Sequence, residues 1–362
     1  MTTPRNLQVL LDRRPRGWPT EDNFRIVESA MPPIGDGQVL VKGLYLSLDP
    51  YMRGRMNDAP SYVKPVELGA VMCGEVAGEI VESRHPRFAV GERVAGDLGW
   101  QEYAVSDGAG LRKLPPVSPL SAQLSVCGMP GVTAWVGLLD LGRPEPGQTV
   151  VVSAAAGAVG GVVGQIARLK GCRAVGIAGG PDKCRFVVEQ LGFDACLDYK
   201  AGDLRGQLEA AAPAGVDVYF DNVGGEILDT VLPRMNTFGR IPVCGLISQY
   251  NATEAYGLQG FRHILVRRLC VRGFIVSDHK DRYATARADL AQWLAEGSLR
   301  HYETVAEGLC AAPAAFIGML RDGEVDCALI FDYAGAAELP AGSTFTPLWR
   351  ETVSLVVSED RA

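Results

Sequence analysis

A chain of 362 residues exceeds what one hydrophobic core usually serves and suits two domains. Its 47% hydrophobic and 21% charged residues are those of an ordinary folded protein rather than a disordered one. A formal net charge of −7 argues against nucleic-acid or anionic-membrane partners, which reward a basic surface, so an anionic ligand has to be held by a few local donors.

Residues 1–18 mix Arg13, Arg14 and Arg16 with proline and lack the apolar core of a secretory signal. The nine cysteines are scattered, with no CxxC pair, and read as reduced thiols buried as small hydrophobes, which makes the cytoplasm the expected compartment. Apolar runs are strand-sized, so no membrane span is expected. The first third reads as strands and turns. Gln38 to Ser47 is β-rich, and Ala70 to Val81 and Gly91 to Val105 are similar stretches punctuated by Gly and Pro, which points to a small, irregular β-rich domain.

The middle of the chain changes character. Thr149 to Val152 is a short buried-strand pattern, and Gly157 to Lys170 places Val159, Val162, Val163, Ile166 and Leu169 on one helical face. Strands follow at Arg173 to Ala178, Ala195 to Asp198, Val216 to Phe220, Arg240 to Cys244 and Leu269 to Val276, with a helix around Cys184 to Leu191 and another marked by Tyr283, Leu290, Trp293 and Leu294. Strands alternating with helices imply an α/β fold with a doubly wound parallel sheet.

The strongest local signal lies at the first of these strand-to-helix corners, Val152-Ser153-Ala154-Ala155-Ala156-Gly157-Ala158-Val159-Gly160-Gly161. This is a dinucleotide fingerprint with Ala155 at the first glycine position. Gly157 lets the backbone approach a pyrophosphate, whose charge meets the helix N-terminus, and Gly160 lets helix and strand pack closely. The second strand ends at Gly179-Gly180-Pro181-Asp182-Lys183 rather than at an acid. That leaves room for a 2′-phosphate beside the Lys183 charge and favours NADP(H). Asp182 would oppose it if turned inward, but not as a solvated residue of the first helical turn.

The four histidines, His85, His263, His279 and His301, include none in a Gly-His-Glu context; the corresponding stretch is Cys73-Gly74-Glu75. No cysteine lobe exists, so no metal site is expected. Without a Lewis acid to polarise an alcohol or ketone oxygen, hydride addition to an α,β-unsaturated carbonyl is the easier chemistry, because the charge spreads into an enolate that hydrogen-bond donors can hold.

Leu48-Asp49-Pro50-Tyr51-Met52-Arg53, Gly99-Trp100-Gln101-Glu102-Tyr103, Gly128-Met129-Pro130-Gly131-Val132-Thr133-Ala134, the fingerprint, Phe220-Asp221-Asn222-Val223-Gly224-Gly225 and Cys244-Gly245-Leu246-Ile247-Ser248-Gln249-Tyr250-Asn251 occur in that order. Together, from about residue 6 to about residue 333, they resemble the zinc-independent prostaglandin reductase (leukotriene B4 dehydrogenase) branch of the medium-chain dehydrogenase/reductase superfamily, which includes alkenal double-bond reductases and curcumin-reductase-like enzymes. The resemblance implies a GroES-like catalytic domain from residues 1–125 and 306–362, a Rossmann NADP-binding domain from 126–305, a homodimer, and NADPH-dependent reduction of an enone or enal. By matching motif it implies that Gly157, Ala158, Val159 and Gly160 face the pyrophosphate, and that Lys183 and Tyr199 sit at the adenosine end. Asn222 then lies along the cofactor, and Cys244, Gly245, Leu246, Ile247, Ser248 and Tyr250 line its ribose and nicotinamide. It further implies that Phe274, Ile275 and Val276 offer backbone groups to the carboxamide, that Met129 and Thr133 border the ring, and that Tyr51 reaches the substrate.

The chain departs from that family in three places. Where some relatives carry a substrate-facing tyrosine in the strand before the nicotinamide loop, Val266 stands here, leaving Tyr51, Tyr250, Tyr256 or a cofactor ribose hydroxyl to hold the enolate. The Asn-Phe-Gly-Lys-like turn near the end is replaced by Gly323-Glu324-Val325-Asp326-Cys327-Ala328, and a tail follows Tyr333, with a β-prone stretch from Thr344 to Val357. Oxidation of an allylic hydroxyl, reduction of a quinone, and a tailoring reaction without net hydride transfer are the alternative activities.

Overall fold

The structure is a computed structural model that describes residues 5–115, 119–322 and 327–330. Two strands, β1 (Arg5–Leu11) and β2 (Phe24–Ala30), form an antiparallel ribbon. Then come β3 (Val39–Leu48), the short helix α1 (Tyr51–Arg55), β4 (Glu75–Ser83), β5 (Arg93–Asp97), β6 (Tyr103–Ser106) and β7 (Arg112–Lys113). The remainder runs α2 (Met129–Trp135), β8 (Thr149–Ser153), α3 (Ala158–Leu169), β9 (Arg173–Ala178), α4 (Pro181–Glu189), β10 (Ala195–Asp198), α5 (Leu204–Ala211), β11 (Val216–Phe220), α6 (Gly225–Val231) and β12 (Met235–Val243), then α7 (Arg262–Arg267), β13 (Cys270–Gly273), α8 (Tyr283–Ala295), β14 (Thr304–Glu307), α9 (Ala312–Asp322) and β15 (Cys327–Ile330).

The middle strands form a six-stranded sheet in the order β10-β9-β8-β11-β12-β13, every neighbouring pair parallel. Its strands β8 and β9 are buried throughout their central residues because helices cover both faces. The chain reverses its direction of winding between β8 and β11, so the connections leaving their carboxyl ends run to opposite faces of the sheet and leave a crevice. A seven-stranded sheet takes β14, β15, β3, β4, β5 and β7 in that order, with β6 on β3. Strands from both ends of the described chain thus share one sheet, since β15 pairs antiparallel with β3. Trp100 anchors this half, fully buried, stacked on Phe24 at 5.6 Å and edge-on to Phe316 of α9.

The sixth strand of the parallel sheet is shorter than its sequence suggested. Residues Arg262–Arg267 are helical, Ile264 packs against the sheet, and Arg268 ends the turn in the left-handed region, φ 51°. The expectation that Val266 lies in the strand leading to the nicotinamide loop is therefore corrected: it sits on α7 and is 51% exposed. After Gly273 one more sheet-like bond forms, Phe274 N–H to Val243 O at 3.3 Å, and the chain then leaves the sheet over its carboxyl edge.

Two crossings join the halves of the molecule, and they are bonded side by side. Ser121 Oγ donates to Glu303 Oε1 at 2.6 Å, and Gln165 of α3 holds Arg300 through both its backbone N–H (2.7 Å) and its C=O (3.2 Å). Ser125 Oγ lies 3.4 Å from His301 Nδ1. The altered turn at 323–326 and the segment after Tyr333 lie outside the described residues.

Candidate active site

A cavity of about 660 Å³ opens between the carboxyl edge of the parallel sheet and the wall of the β-rich half. At its base, β8 turns into α3 through Ala154 in the left-handed region, φ 50°. Gly157 caps α3, and Gly157, Ala158, Val159 and Gly160 all line the cavity. The two glycines serve different ends. A Cβ on Gly160 would overlap the carbonyl oxygen of Ala154, so the close strand-to-helix approach demands glycine there. Gly157 has φ −85° and a Cβ on it would meet only Ala154 O, at 3.3 Å. The backbone conformation does not require glycine at 157 and a Cβ would press on one backbone oxygen only, far less than at Gly160; the residue lines the cavity at the N-terminus of a twelve-residue helix whose dipole favours an anion. These residues fit a dinucleotide pyrophosphate.

Asn222 is held rigidly across the crevice from this corner. Its Nδ2 donates to Ser153 O at 2.7 Å, and its backbone N–H donates to Ser153 Oγ at 2.9 Å. Behind it, the fully buried Asp221 carboxylate accepts from the Tyr219 hydroxyl (2.9 Å) and the N–H groups of Val223 (3.0 Å) and Gly224 (2.9 Å). Burial raises the Asp221 pKa, and those donors oppose the rise.

Further along the sheet edge Cys244, Gly245, Ile247 and Tyr250 line the cavity after β12, and Phe274, Ile275 and Val276 after β13. Phe274 is fixed edge-on against Phe220 at 6.2 Å. Met129 and Thr133, one helical turn apart on α2, close the side; Thr133 Oγ1 donates to Met129 O at 2.7 Å. Burial pushes the Cys244 thiol and the Tyr250 phenol each up to about 12, so both are neutral at physiological pH.

The opposite wall comes from the corner between β3 and α1. Tyr51 lines the cavity there, and burial together with the Asp49 charge raises its phenol well above the ordinary value. Arg53 of the same helix, 2% exposed, reaches across: its Nε donates to Asn251 Oδ1 at 2.9 Å, one residue beyond Tyr250. That buried bond couples the two tyrosine-bearing segments, 198 residues apart. The wall also holds a group of acids that sequence reasoning missed. Asp49, Glu75 and Asp97 all line the cavity, with Tyr62, Lys280, Tyr283 and Arg287 nearby. Burial pushes the Asp49 carboxyl up to about 7 and also raises Glu75, against the pull of Arg112 and Arg287.

Not every expected residue is gathered there. Leu246 is exposed and its side chain covers Gly224, and Ser248 Oγ donates to Val223 O at 2.6 Å, so both shape the loop without lining the cavity. Lys183 and Tyr199 lie outside the cavity lining, beyond the ends of β9 and β10. Lys183 is buried, at 4% exposure, on the first turn of α4, while Asp182 beside it is exposed and pairs with Arg185. The Tyr199 ring closes over Gly179, where a Cβ would come within 2.9 Å of it. Tyr256 is not a wall residue; its hydroxyl donates to Asp229 Oδ2 at 2.7 Å.

Gly74 has no room for a larger side chain, since a Cβ would come within 2.7 Å of Leu46 Cδ1 and 3.0 Å of Trp100. Among the described residues no three His, Cys, Asp or Glu side chains converge to hold a metal ion.

Comparison with known proteins agrees with this geometry. Residues 7–114 match a family described as the N-terminal domain of oxidoreductase, and residues 158–293 one described as zinc-binding dehydrogenase. The chain is 48% identical over 325 residues to the NADPH-dependent curcumin reductase of Escherichia coli strain K12, covering 88% of this chain and 94% of that protein. It is 45% identical over 312 residues to prostaglandin reductase 1 of Rattus norvegicus, covering 84% and 92%. The crystal structure of CurA in complex with NADPH from Vibrio vulnificus superimposes with a TM-score of 0.86 at 46% identity, over 90% of this chain and 99% of that one.

Proposed function

This chain belongs to the zinc-independent branch of the medium-chain dehydrogenase/reductase family, and from that premise we propose that it uses NADPH to reduce the carbon–carbon double bond of an α,β-unsaturated carbonyl compound. The observation that carries the reading is one cavity lined both by the glycine-opened corner at Gly157 and by Tyr51 and Tyr250. NADPH, when bound, supplies a hydride to the β-carbon of the substrate. The chain's own residues do the rest. Gly157, Ala158, Val159 and Gly160 receive the pyrophosphate, Lys183 and Tyr199 the adenosine end with its 2′-phosphate, and Asn222 the length of the dinucleotide. Cys244 to Tyr250 border the ribose, with Leu246 and Ser248 acting by shaping that loop. Met129, Thr133 and Phe274 to Val276 orient the ring and its carboxamide. Tyr51 and Tyr250, both neutral, donate to the carbonyl oxygen as charge develops on it.

The same proposal divides the chain into a catalytic domain of residues 1–125 and 306–362 and a cofactor domain of 126–305. It also makes the enzyme a homodimer. All four residues of β13 are exposed at the sheet edge, beside the outward-facing Leu265 and Val266, and an uncovered apolar edge is a template for a second copy. Buried thiols such as Cys73, Cys127 and Cys172 suit a reducing compartment, the cytoplasm. The test is a comparison of NADPH consumption with enones and enals against NADP+ reduction with allylic alcohols and NADPH consumption with quinones. Saturated ketone product with consumption of one NADPH per enone is expected; tight NADPH binding without turnover of any enone or enal would refute the activity.

A further inference from the structure

Tyr51 and Tyr250 reach the cavity from segments with little to hold them locally. The helix α1 is five residues long, too short to stand by itself, and Tyr250 caps the single 3-10 turn Ile247–Gln249. Met52 and Met56, both fully buried, fasten one side of α1 to the core of the β-rich half. The other attachment is polar, and it crosses the cleft. All three nitrogens of the Arg53 guanidinium are used: Nε donates to Asn251 Oδ1 at 2.9 Å, Nη1 to Asn57 Oδ1 at 2.6 Å and Nη2 to Gly17 O at 2.8 Å. Gly17 in turn lies on the segment after Tyr250, where a Cβ would come within 3.8 Å of Asn251 O and 4.0 Å of Thr253 Cγ2. Three stretches remote in sequence thus meet on one planar group.

Arg53 is 2% exposed and Asn251 8%, and among the described residues no carboxylate answers the charge. A buried cation without an anion is costly, and an apolar side chain would serve stability at least as well. What the guanidinium supplies is shape. Its acceptors lie in three directions around a rigid plane, a pattern that a lysine ammonium does not reproduce. Neither Arg53 nor Asn251 lines the cavity.

Resting on the reading that both tyrosines hold the carbonyl oxygen of an enone, we propose that Arg53 is a positioning residue that acts through Tyr250. By gripping Asn251 from the helix that carries Tyr51, it fixes the gap between the two hydroxyls and so the seat of the substrate oxygen. It touches none of the reacting atoms, and its geometry matters to turnover more than its charge.

Hydrogen exchange of the full chain, without substrate, tests the grip itself. Asn251→Ala leaves Arg53 in place, yet it should speed exchange in residues 51–57 as well as in 247–253; a change confined to 247–253 overturns the proposal. Single turnovers with saturating NADPH and a model enone test its purpose. Arg53→Lys keeps the charge and loses the fork, and should be about 100-fold slow, as for a misplacement of about 1 Å, with the KM for NADPH within threefold of wild type. A loss below tenfold overturns the proposal. Made in Tyr250→Phe, the same substitution should cost at most about tenfold, because its target is already gone; a larger loss there leaves Arg53 a merely structural residue. If Arg53→Lys does not fold, Asn251→Ala decides: it should be about tenfold slow, and a wild-type rate overturns the proposal. Should Tyr51→Phe and Tyr250→Phe both turn over as fast as wild type, the reading of the tyrosines fails and the proposal with it. If those two are slow while Arg53→Lys is fast, the grip alone is refuted.

Discussion

Replacing Gly157 and Gly160 separately by alanine divides stability from cofactor binding at one corner. At Gly160 the new methyl overlaps Ala154 O and stands 2.8 Å from its carbonyl carbon and 3.0 Å from Ala155 Cα. These are backbone atoms, so α3 has to move off β8. Overpacking of that kind costs about 3 kcal/mol, and the better helix propensity of alanine returns about 1 kcal/mol. The net loss of about 2 kcal/mol should lower Tm by roughly 4–8 °C for an unfolding unit near 200 residues. At Gly157 the methyl meets one oxygen at 3.3 Å, and φ −85° suits alanine. Loss of a glycine cap costs no more than about 1 kcal/mol. The methyl instead occupies the space proposed for the pyrophosphate, and forfeiting a backbone bond to a charged group, about 1.5–3 kcal/mol, should weaken NADPH roughly 10- to 100-fold. Thermal melts and calorimetric NADPH titrations read the two effects. Unchanged NADPH affinity in Gly157→Ala, or an unchanged Tm in Gly160→Ala, would refute the reasoning.

Lys183→Ala should raise the KM for NADPH at least tenfold more than that for NADH, since the two coenzymes differ only in the 2′-phosphate; steady-state kinetics with both will show whether the effects are equal, which would undo the assignment. Asp49 has a folded pKa near 7 against 3.8 for the free group, so its contribution to stability is complete below pH 4 and is lost as pH rises towards 7. At about 1.4 kcal/mol per pH unit the loss is at most about 4 kcal/mol, and Asp49→Asn should therefore melt higher than wild type at pH 8 but not at pH 4. Val271→Lys puts a charge on the exposed edge of β13 and should convert the dimer to monomer in light scattering; an unaltered mass would place the interface elsewhere.

The cofactor side was legible because its determinants are local. A strand, a glycine corner and an amphipathic helix occupy twenty-one consecutive residues, from Thr149 to Leu169, and the space each glycine guards follows from backbone geometry alone. Phe274 to Val276 came from resemblance, and their role as backbone presenters depends on β13 stopping at Gly273, which no hydrophobic period announces. The placement of Val266 in a strand came from the resemblance, counted back from Phe274, and it failed because Arg262–Arg267 form a helix. Asp49, Glu75 and Asp97 were passed over for another reason. Each is an ordinary acid in a β-rich stretch, and only the folding of three separated strands onto one cavity wall makes them neighbours. The Arg53–Asn251 bond is likewise a tertiary fact with no local signature.

The paired crossings at 121–125 and 300–303 restrict how the molecule can breathe. Ser121 holds Glu303 and Gln165 holds Arg300, so the two crossings are tied to each other and to α3. A rotation of one half about these crossings would spare these bonds yet have to break the buried Arg53–Asn251 bond that also joins the halves. The same seam touches Gly157 and Ala158, which border a small hollow of about 40 Å³ beside His301 and Glu303. An anion arriving at the tip of α3 therefore lands next to the seam that ties the two crossings together.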